Sequence, residues 1–590
     1  MNTPPSRIAR DFTARSVLTG MLVGGLLSAC NIYSGLKIGW SSNMSITGAL
    51  IAYAAWQLRT RAARRDRPYT ILETNLSQTA ASSAAAVSSA GLVAGIPALT
   101  VLTGSVLPWP KLALWIFSIC VVGIVIAVPL RRQMLVNEPL PFPFGIATAE
   151  TLKQMYAEGA EAMARVRALL VSAVIAGAGK ILEQAKLVHT LALPGALGGT
   201  SLRNLTFALD PSLLLVAVGG LMGMRACLSV MGGALVAYAA LGPELLARGL
   251  VKPGPVDRPW FSQLVGWLLW PGVTLMVVAS LTGFALSWRS VAKAFRGLAG
   301  GAAPQDGAAA EDYPASEEVP TRWFLTAAAA AVALSVGLQI VFFGIPFGIA
   351  VLGVALSIAL ALVGARVNGE TGLTPIGAMG KVTQLAVGGA LPGNVTANLM
   401  TATVTGGSAS HCADLMNDLK TGQMLGSTPR SQWISQLCGA LAGSLLGTAI
   451  YLAVLPDPKN QLFTPEWPAP AVITWKAVAE VFQVGLSALP PRVGPAMGIA
   501  AALGVALAVA EARAPKHIKR WLPSPSALGL GFVVPANQSS SILLGGLLAL
   551  AVARRFPAWH ERFWVVVCAG IIAGESLVGV AISLKQMLGG

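Results

Sequence analysis

Of the 590 residues, 54% are hydrophobic and only 11% charged, against about a quarter charged in ordinary soluble domains. Apolar runs of about 20 residues, the length that carries a helix across a bilayer, recur from end to end, so the sequence reads as a polytopic integral membrane protein of the all-α class. The net charge of +16 does not mark a nucleic-acid binder, because the arginines cluster just outside apolar runs, as cytoplasmic loops do under the positive-inside rule. Six cysteines (Cys30, Cys120, Cys227, Cys412, Cys438, Cys568) stand without a C-x-x-C pair, which predicts buried thiols rather than a disulfide framework or a zinc site. Neither a metal nor another cofactor is called for.

In chain order, the polar and basic opening MNTPPSRIARDFTARS is followed by an apolar run with no A-x-A-like cleavage site, so the first span is expected to direct insertion itself. Arg7, Arg10 and Arg15 precede that span, near 17–35, and a basic run from Arg59 to Arg67 follows a second, near 38–58. Further spans near 78–105 and 111–130 return the chain to Arg131 and Arg132. This pattern places the N-terminus in the cytoplasm of a protein of the inner (cytoplasmic) membrane. Tyr33 and Lys37 border the first turn, and ETNLSQTAASSAAAVSSAG opens the third span. Its small residues suit close helix approach, whereas Glu73, Asn75 and Gln78 are polar candidates, with helix capping as the alternative role. NEPLPFPFGIATAETLK is a rigid extended piece leading into a short helix. That helix carries Glu150, either functional or paired with Lys153 at i, i+3.

Spans near 163–182, 211–224, 226–247 and 262–288 follow, with Arg225 isolated among apolar neighbours. Residues 297–320 are rich in Gly, Ala, Pro and acids without periodicity, a disordered cytoplasmic linker by composition; shortening 300–316 is expected to leave function intact. The linker divides the chain into an N-terminal half, 1–296, and a C-terminal half, 321–590, each expected to form part of one bundle. The second half has spans near 323–343, 346–364, 433–455, 470–489 and 494–511. A segment broken at Pro535 and Asn537 comes next, and a last span, 563–584, carries Glu575. Between them, 366–433 is polar, with Lys381, Gln384, Asn394, Asn398, His411, Asp414 and Asp418 among glycines and threonines. Such residues are costly in hydrocarbon and mark cavities or ion paths, and the glycines and prolines are expected to break the helices that cross here. GWSSNMSITGALIAY and GFVVPANQSSSILLGGLLA echo one another, which suggests two related halves.

The strings NIYSGLKIGW, ETNLSQTAASSA, NEPLPFPFGIATAE, GETGLTPIGAMGKVTQL, LPGNVTANLM, VTGGSASHCADLMNDLKTG, LGSTPR and AGIIAGES, in this order, resemble the prokaryotic branch of the oligopeptide transporter (OPT) family. The resemblance covers nearly the whole chain. It implies a bundle of about 14 to 16 transmembrane helices with broken or re-entrant segments, and proton-coupled symport of small peptides or, as in the yellow-stripe-like branch, of peptide-like metal chelates. A homo-oligomer is compatible with the sequence. Rival classes fare worse: PIGAMGKVT lacks the register of a phosphate-binding loop, and GGSASH lacks the elbow or zinc motif of an intramembrane hydrolase. A passive channel is the serious competitor.

A zwitterionic cargo needs donors, acceptors and charges of both signs. The candidates are Tyr33, Lys37, Asn75, Gln78 and Glu150 from the first half, with Lys381, Gln384, Asn394, Asn398 and Asn537 from the second. For the driving proton the candidates are His411, Asp414 and Asp418, which would share one helix face at i, i+3 and i+7, and then Glu73 and Glu575. Pairing of these acids with Lys420 at a solvated helix end is the plain alternative.

Overall fold

The structure is a computed structural model that describes residues 12–39, 41, 43–62, 67–137, 139–157, 159–185, 187–188, 190–286, 313–314, 316–371, 374, 376–485, 489–519 and 521–589. Most of the segment read as a linker, 297–312, lies outside the described residues. Among the described residues, twenty-three α-helices run α1 (Ala14–Ile38), α2 (Ser45–Ala62), α3 (Ile71–Ala85), α4 (Gly95–Thr103), α5 (Trp109–Arg131), α6 (Pro143–Ala157), α7 (Gly159–Gln184), α8 (Leu213–Met222), α9 (Met224–Ala234), α10 (Gly242–Ala247), α11 (Phe261–Leu286), α12 (Thr321–Phe343), α13 (Phe347–Thr371), α14 (Ile376–Ala390), α15 (Val395–Leu425), α16 (Pro429–Val454), α17 (Pro458–Gln461), α18 (Pro470–Val484), α19 (Val493–Arg513), α20 (Lys516–Lys519), α21 (Pro525–Val533), α22 (Ala536–Arg555) and α23 (Pro557–Gly589). Four strands of two residues each form two antiparallel pairs between 191 and 209. Among the described residues, eleven helical stretches are long and apolar enough to cross a membrane. The nine residues of α21 are not, so the segment broken at Pro535 meets the membrane with one short arm and one full span.

The chain forms two compact units: unit 1 is Met1–Ile32, Ser41–Val166 and Ser287–Val454, and unit 2 is Tyr33–Trp40, Arg167–Leu286 and Leu455–Gly590. Both draw on residues from either side of 297–320.

Unit 1 is organised around α15, which packs against α3, α4, α5, α6, α12, α13, α14 and α16. The expectation of broken helices holds at the turns on either side of α15 and fails within it: α15 runs unbroken for 31 residues through Gly406 and Gly407. Gly407 serves packing. A Cβ on Gly407 would lie 2.8 Å from Ala90 Cα, and one on Gly123 of α5 would strike the Ser408 backbone, so α5 and α15 cross at a distance that only glycine permits. The small-residue run of α3 plays the part read from sequence, with Gly24 facing Ala81 and Gly443 of α16 facing Ala84. The proline-rich piece is not simply extended: Leu140 N donates back to Met134 O at 2.9 Å, Phe142 takes a left-handed φ of 44°, and its N donates to Gly369 O at 2.9 Å before α6 begins. Described residues at the end of the linker dock on this unit. Tyr313 Oη donates to Gly422 O at 3.4 Å, Arg131 pairs with Glu318, and Arg430 N donates to Glu317 O at 3.2 Å. The stretch read as expendable therefore ends before Tyr313.

Unit 2 uses the same device twice. On α8 and α22, Gly219 faces the Ile542 carbonyl and Gly545 the Val216 carbonyl; on α9 and α21, Gly233 faces Leu528 and Gly531 faces Val230. Arg225, isolated in sequence, is paired: Nη1 reaches Glu511 Oε1 at 2.9 Å and Nε donates to Leu522 O at 2.7 Å. Gly545→Val should push the α8–α22 crossing apart and cost about 1–3 kcal/mol of stability, read as a thermal midpoint several degrees lower in detergent. Gly266→Ala, on α11 with open space around it, should not lower the midpoint. Equal midpoints for Gly545→Val and the wild type would refute the close-packing account.

Candidate functional site

The candidate site lies along α15 in unit 1. Asn394 caps the helix, its side chain accepting from Ala397 N at 2.8 Å, and Gly426 ends it in the left-handed region at φ 79°, where glycine carries no steric penalty. Of its 31 residues 25 are buried, so α15 is enclosed all round despite its polar sequence. Its hydroxyls turn back on their own helix: Thr403 donates to Leu399 O at 2.7 Å and Thr421 to Asn417 O at 3.1 Å.

Two polar clusters form against this helix. In the first, Gln384 of α14 donates from Nε2 to Asn398 Oδ1 at 2.9 Å, and Asn398 Nδ2 donates back to Gln384 O at 2.7 Å. One turn away, Lys381 is 5% exposed, and its Nζ donates to Gly377 O at 3.2 Å. Among the described residues Lys381 has no ion-pair partner. A buried ammonium with one carbonyl contact retains donors for an anion.

The second cluster lies further along. α15 is helical here, so His411, Asp414 and Asp418 do stand at i, i+3 and i+7. Asp418 is 1% exposed; Gln78 of α3 faces its carboxyl, and Gln432 of α16 donates from Nε2 to the Asp418 backbone carbonyl at 2.5 Å. Asn75 joins by accepting from Gln78 Nε2 at 3.1 Å. His411 takes another partner: its Nε2 lies 3.1 Å from Cys120 Sγ on α5, and Gln436 Nε2 donates to its backbone carbonyl at 3.2 Å. Among the described residues neither Asp414 nor Asp418 has an ion-pair partner, and Lys420 turns to Gln423 instead. Asp418 Oδ2, Gln78 Oε1, Gln432 Oε1, Gln436 Oε1, Asn75 Nδ2 and His411 Nδ1 are buried without a hydrogen-bond partner among the described residues.

The candidates therefore divide. Asn398 and Asp414 are 16 residues apart on one helix, about 24 Å at about 1.5 Å per residue, so the Gln384–Asn398 pair stands apart from the acids, whereas Gln78 faces Asp418 and Asn75 bonds Gln78. Glu73 has the contacts of a capping residue, forming a capping box with Thr70 and pairing with Arg15 at 2.6 Å. Glu150 is exposed and pairs with Lys153 at 3.0 Å. The remaining four lie in unit 2. There Tyr33 stacks edge-on to Trp467 at 5.1 Å, Lys37 Nζ lies 5.8 Å from the Tyr33 ring, Asn537 Nδ2 donates to Asp210 Oδ2 at 3.0 Å, and Glu575 accepts from Ser212 Oγ at 2.7 Å and Leu214 N at 2.8 Å, capping α8. Sequence pattern alone passes over Gln432, Gln436, Cys120 and Asp210. The two glutamines had a signal, since polar residues at i, i+4 in an apolar span mark one face turned to something polar.

The chain matches the family described as OPT oligopeptide transporter protein over residues 11–585. It is 24% identical to a Saccharomyces cerevisiae protein named "Putative oligopeptide transporter", over 97% of this chain and 95% of that one. It is 23% identical to the metal-nicotianamine transporter YSL3 of Arabidopsis thaliana, over 96% of this chain and 90% of that one, and 23% identical to the metal-nicotianamine transporter YSL2 of Oryza sativa, over 97% and 92%. These matches run through both units and all the helices described above, and they make the chain a membrane transporter rather than an enzyme, a member of the oligopeptide transporter family.

Proposed function

We propose that this chain is a secondary active transporter that carries small peptides, or metal chelates of peptide-like ligands, by proton-coupled symport through alternating access, in the cytoplasmic membrane with its N-terminus in the cytoplasm. The observation that supports coupling is Asp418, 1% exposed in unit 1, with the half-buried Asp414 one turn before it and no ion-pair partner for either among the described residues. An unpaired carboxylate is expensive away from water. Binding of a proton removes that cost, and its release restores it, which gives the two acids a reason to load and unload with the transport cycle. Lys381, with Gln384 and Asn398 beside it, is the substrate anchor: a peptide or peptide-like chelate offers carboxylates, and a buried ammonium with spare donors meets them. Tyr33, Lys37 and Asn537 are further candidates for substrate contact within unit 2. The relatives' names, oligopeptide for one and metal-nicotianamine for others, support a peptide or chelate substrate.

Two measurements in proteoliposomes test this reading. Loss of a charged hydrogen-bond partner costs about 1.5–3 kcal/mol, so Lys381→Ala should raise the KM for a short peptide or chelate about tenfold or more in protein that inserts normally; wild-type KM would remove Lys381 from the site. Asp414→Asn should abolish accumulation driven by a pH gradient while leaving counterflow, which needs no net proton movement. Accumulation by the variant at the wild-type level would refute the role of Asp414, and a wild-type protein that equilibrates substrate without accumulating it would point to a passive channel.

A further inference from the structure

The helix α6 packs on α3 and α15 beside the acids, and its two ends are held in different ways. Its 15 residues extend about 22 Å at about 1.5 Å per residue, too little to cross a bilayer. Gly145, Thr148, Leu152 and Met155 are buried, and Glu150 and Lys153, between them in sequence, are exposed. The buried stripe meets α15 on either side of Asp418: a Cβ on Gly145 would lie 2.5 Å from Asn417 O, and Thr421 Oγ1 donates to Gly145 O at 3.0 Å. Asn417 Oδ1 is buried without a donor among the described residues, a cost that water would remove. At the start of α6 the backbone is strained, because Phe142 holds a φ of 44° that a bulky residue rarely adopts. Two contacts with α13 keep it so: Phe142 N donates to Gly369 O at 2.9 Å, and a Cβ on Gly369 would lie 2.8 Å from the Phe142 ring. At the far end one side chain is the tie. Tyr156 Oη lies 3.1 and 3.0 Å from the carbonyl oxygens of Tyr69 and Thr70 and 2.5 Å from Thr74 Oγ1, and its ring stands edge-on to that of Tyr53 with centroids 5.2 Å apart. Backbone strain and the bare amide favour opening, and the bonds of the Tyr156 hydroxyl favour closure.

We propose that α6 is a lid over the Asp418 segment of α15, hinged at Phe142 and clasped by Tyr156: when the bonds of the Tyr156 hydroxyl break, the far end of α6 swings out and admits water to the acids. A strained residue fixed by its surroundings is a mark of switch segments. Short and amphipathic, α6 can leave its seat without drawing a full span out of the bilayer. The part of the lid in transport, controlling access to the acids, rests on the coupling reading above. The opening itself does not, and the two fail separately.

The test is thiol accessibility in the purified full-length chain in detergent. Thr148→Cys places a thiol on the buried face of α6, at a position 3% exposed, and its rate of modification by a water-soluble maleimide, read from the mass of the peptide that contains it, follows the fraction of time the lid is open. Tyr156→Phe in that background keeps the ring and removes the hydroxyl. The expected result is modification about fivefold faster, the shift in population that loss of one ordinary hydrogen bond brings, while native Cys30, buried on α1, reacts at its former rate. Equal rates at position 148 with and without the Tyr156 hydroxyl, including no modification in either, refute the clasp, and a parallel rise at Cys30 refutes a local lid in favour of general loosening. Should Tyr156→Phe fail to fold, Thr74→Val, which removes the hydroxyl on the other side of the contact, is read by the same outcomes. Because no transport is measured, an Asp414→Asn protein that still accumulates substrate removes the proton role and leaves the lid standing.

Discussion

The rest of unit 1 depends on one constraint: a long polar helix, α15, is enclosed on every side by other helices, so each polar group on it must find its partner inside the protein. Many neutral groups do, though His411 Nδ1 and Asn417 Oδ1 find none among the described residues. Hydroxyls bond back to their own turns, and Asn398 and Gln384 satisfy each other across the α14–α15 pair. That reach requires close packing, which the glycines supply: with Gly123 and Gly407 at the α5 crossing and Gly443 where α16 meets α3, the neighbours come near enough for their amides to touch α15. The carboxylates of Asp414 and Asp418 have no ion-pair partner among the described residues. Asp418 is 1% exposed, and in the coupling proposed above the missing charge is supplied by something that arrives and departs.

Unit 2 handles its charges differently. Glu575 is held by the Leu214 backbone amide and the Ser212 hydroxyl at the start of α8, where the helix dipole favours an anion. Asp210 is bonded by Asn537, and Arg225 by Glu511. Lys37, 5% exposed, lies 5.8 Å from the Tyr33 ring, a cation–π contact, with the carboxylates of Glu575, Asp210 and Glu183 acting on it by charge. Lys381 of unit 1, without an ion-pair partner among the described residues, differs from it in this.

Much of this was legible in the sequence because hydrocarbon imposes a length and a composition that no other environment does. Most of the long apolar runs became helices within a few residues of their expected ends, though the one expected near 78–105 is split into α3 and α4 and the one near 38–58 begins at Ser45; the polar stretch 366–433 supplied a helix enclosed by its neighbours, and the shared face of His411, Asp414 and Asp418 followed once α15 was helical. What misled was glycine. In Gly406 and Gly407 it was read as a break, whereas in a close-packed bundle it marks a crossing; the residue alone does not distinguish the two, since the deciding fact is the partner, Ile119 and Ala90, far away in sequence. The link between His411 and Cys120 was hidden for the same reason. Glu73, by contrast, carried its structural role openly, since Thr70 and Glu73 have the T-x-x-E spacing of a capping box.

The separation of the two clusters along α15 has a physical consequence for coupling. Had Lys381 stood beside Asp414 or Asp418, the pair would neutralise each other and neither would need a proton or a substrate; a buried ion pair is largely self-sufficient once formed. Lys381 stands instead on α14, where Thr383 bonds Thr405 of α15 at 3.0 Å, and among the described residues ammonium and carboxylates have no ion-pair partner. In the coupling proposed above, occupancy of one would reach the other through α15 itself and the helices packed on it. Continuity through Gly406 and Gly407 is what makes such transmission mechanical: a helix broken there would absorb a displacement in its joint, whereas a close-packed one moves as a piece.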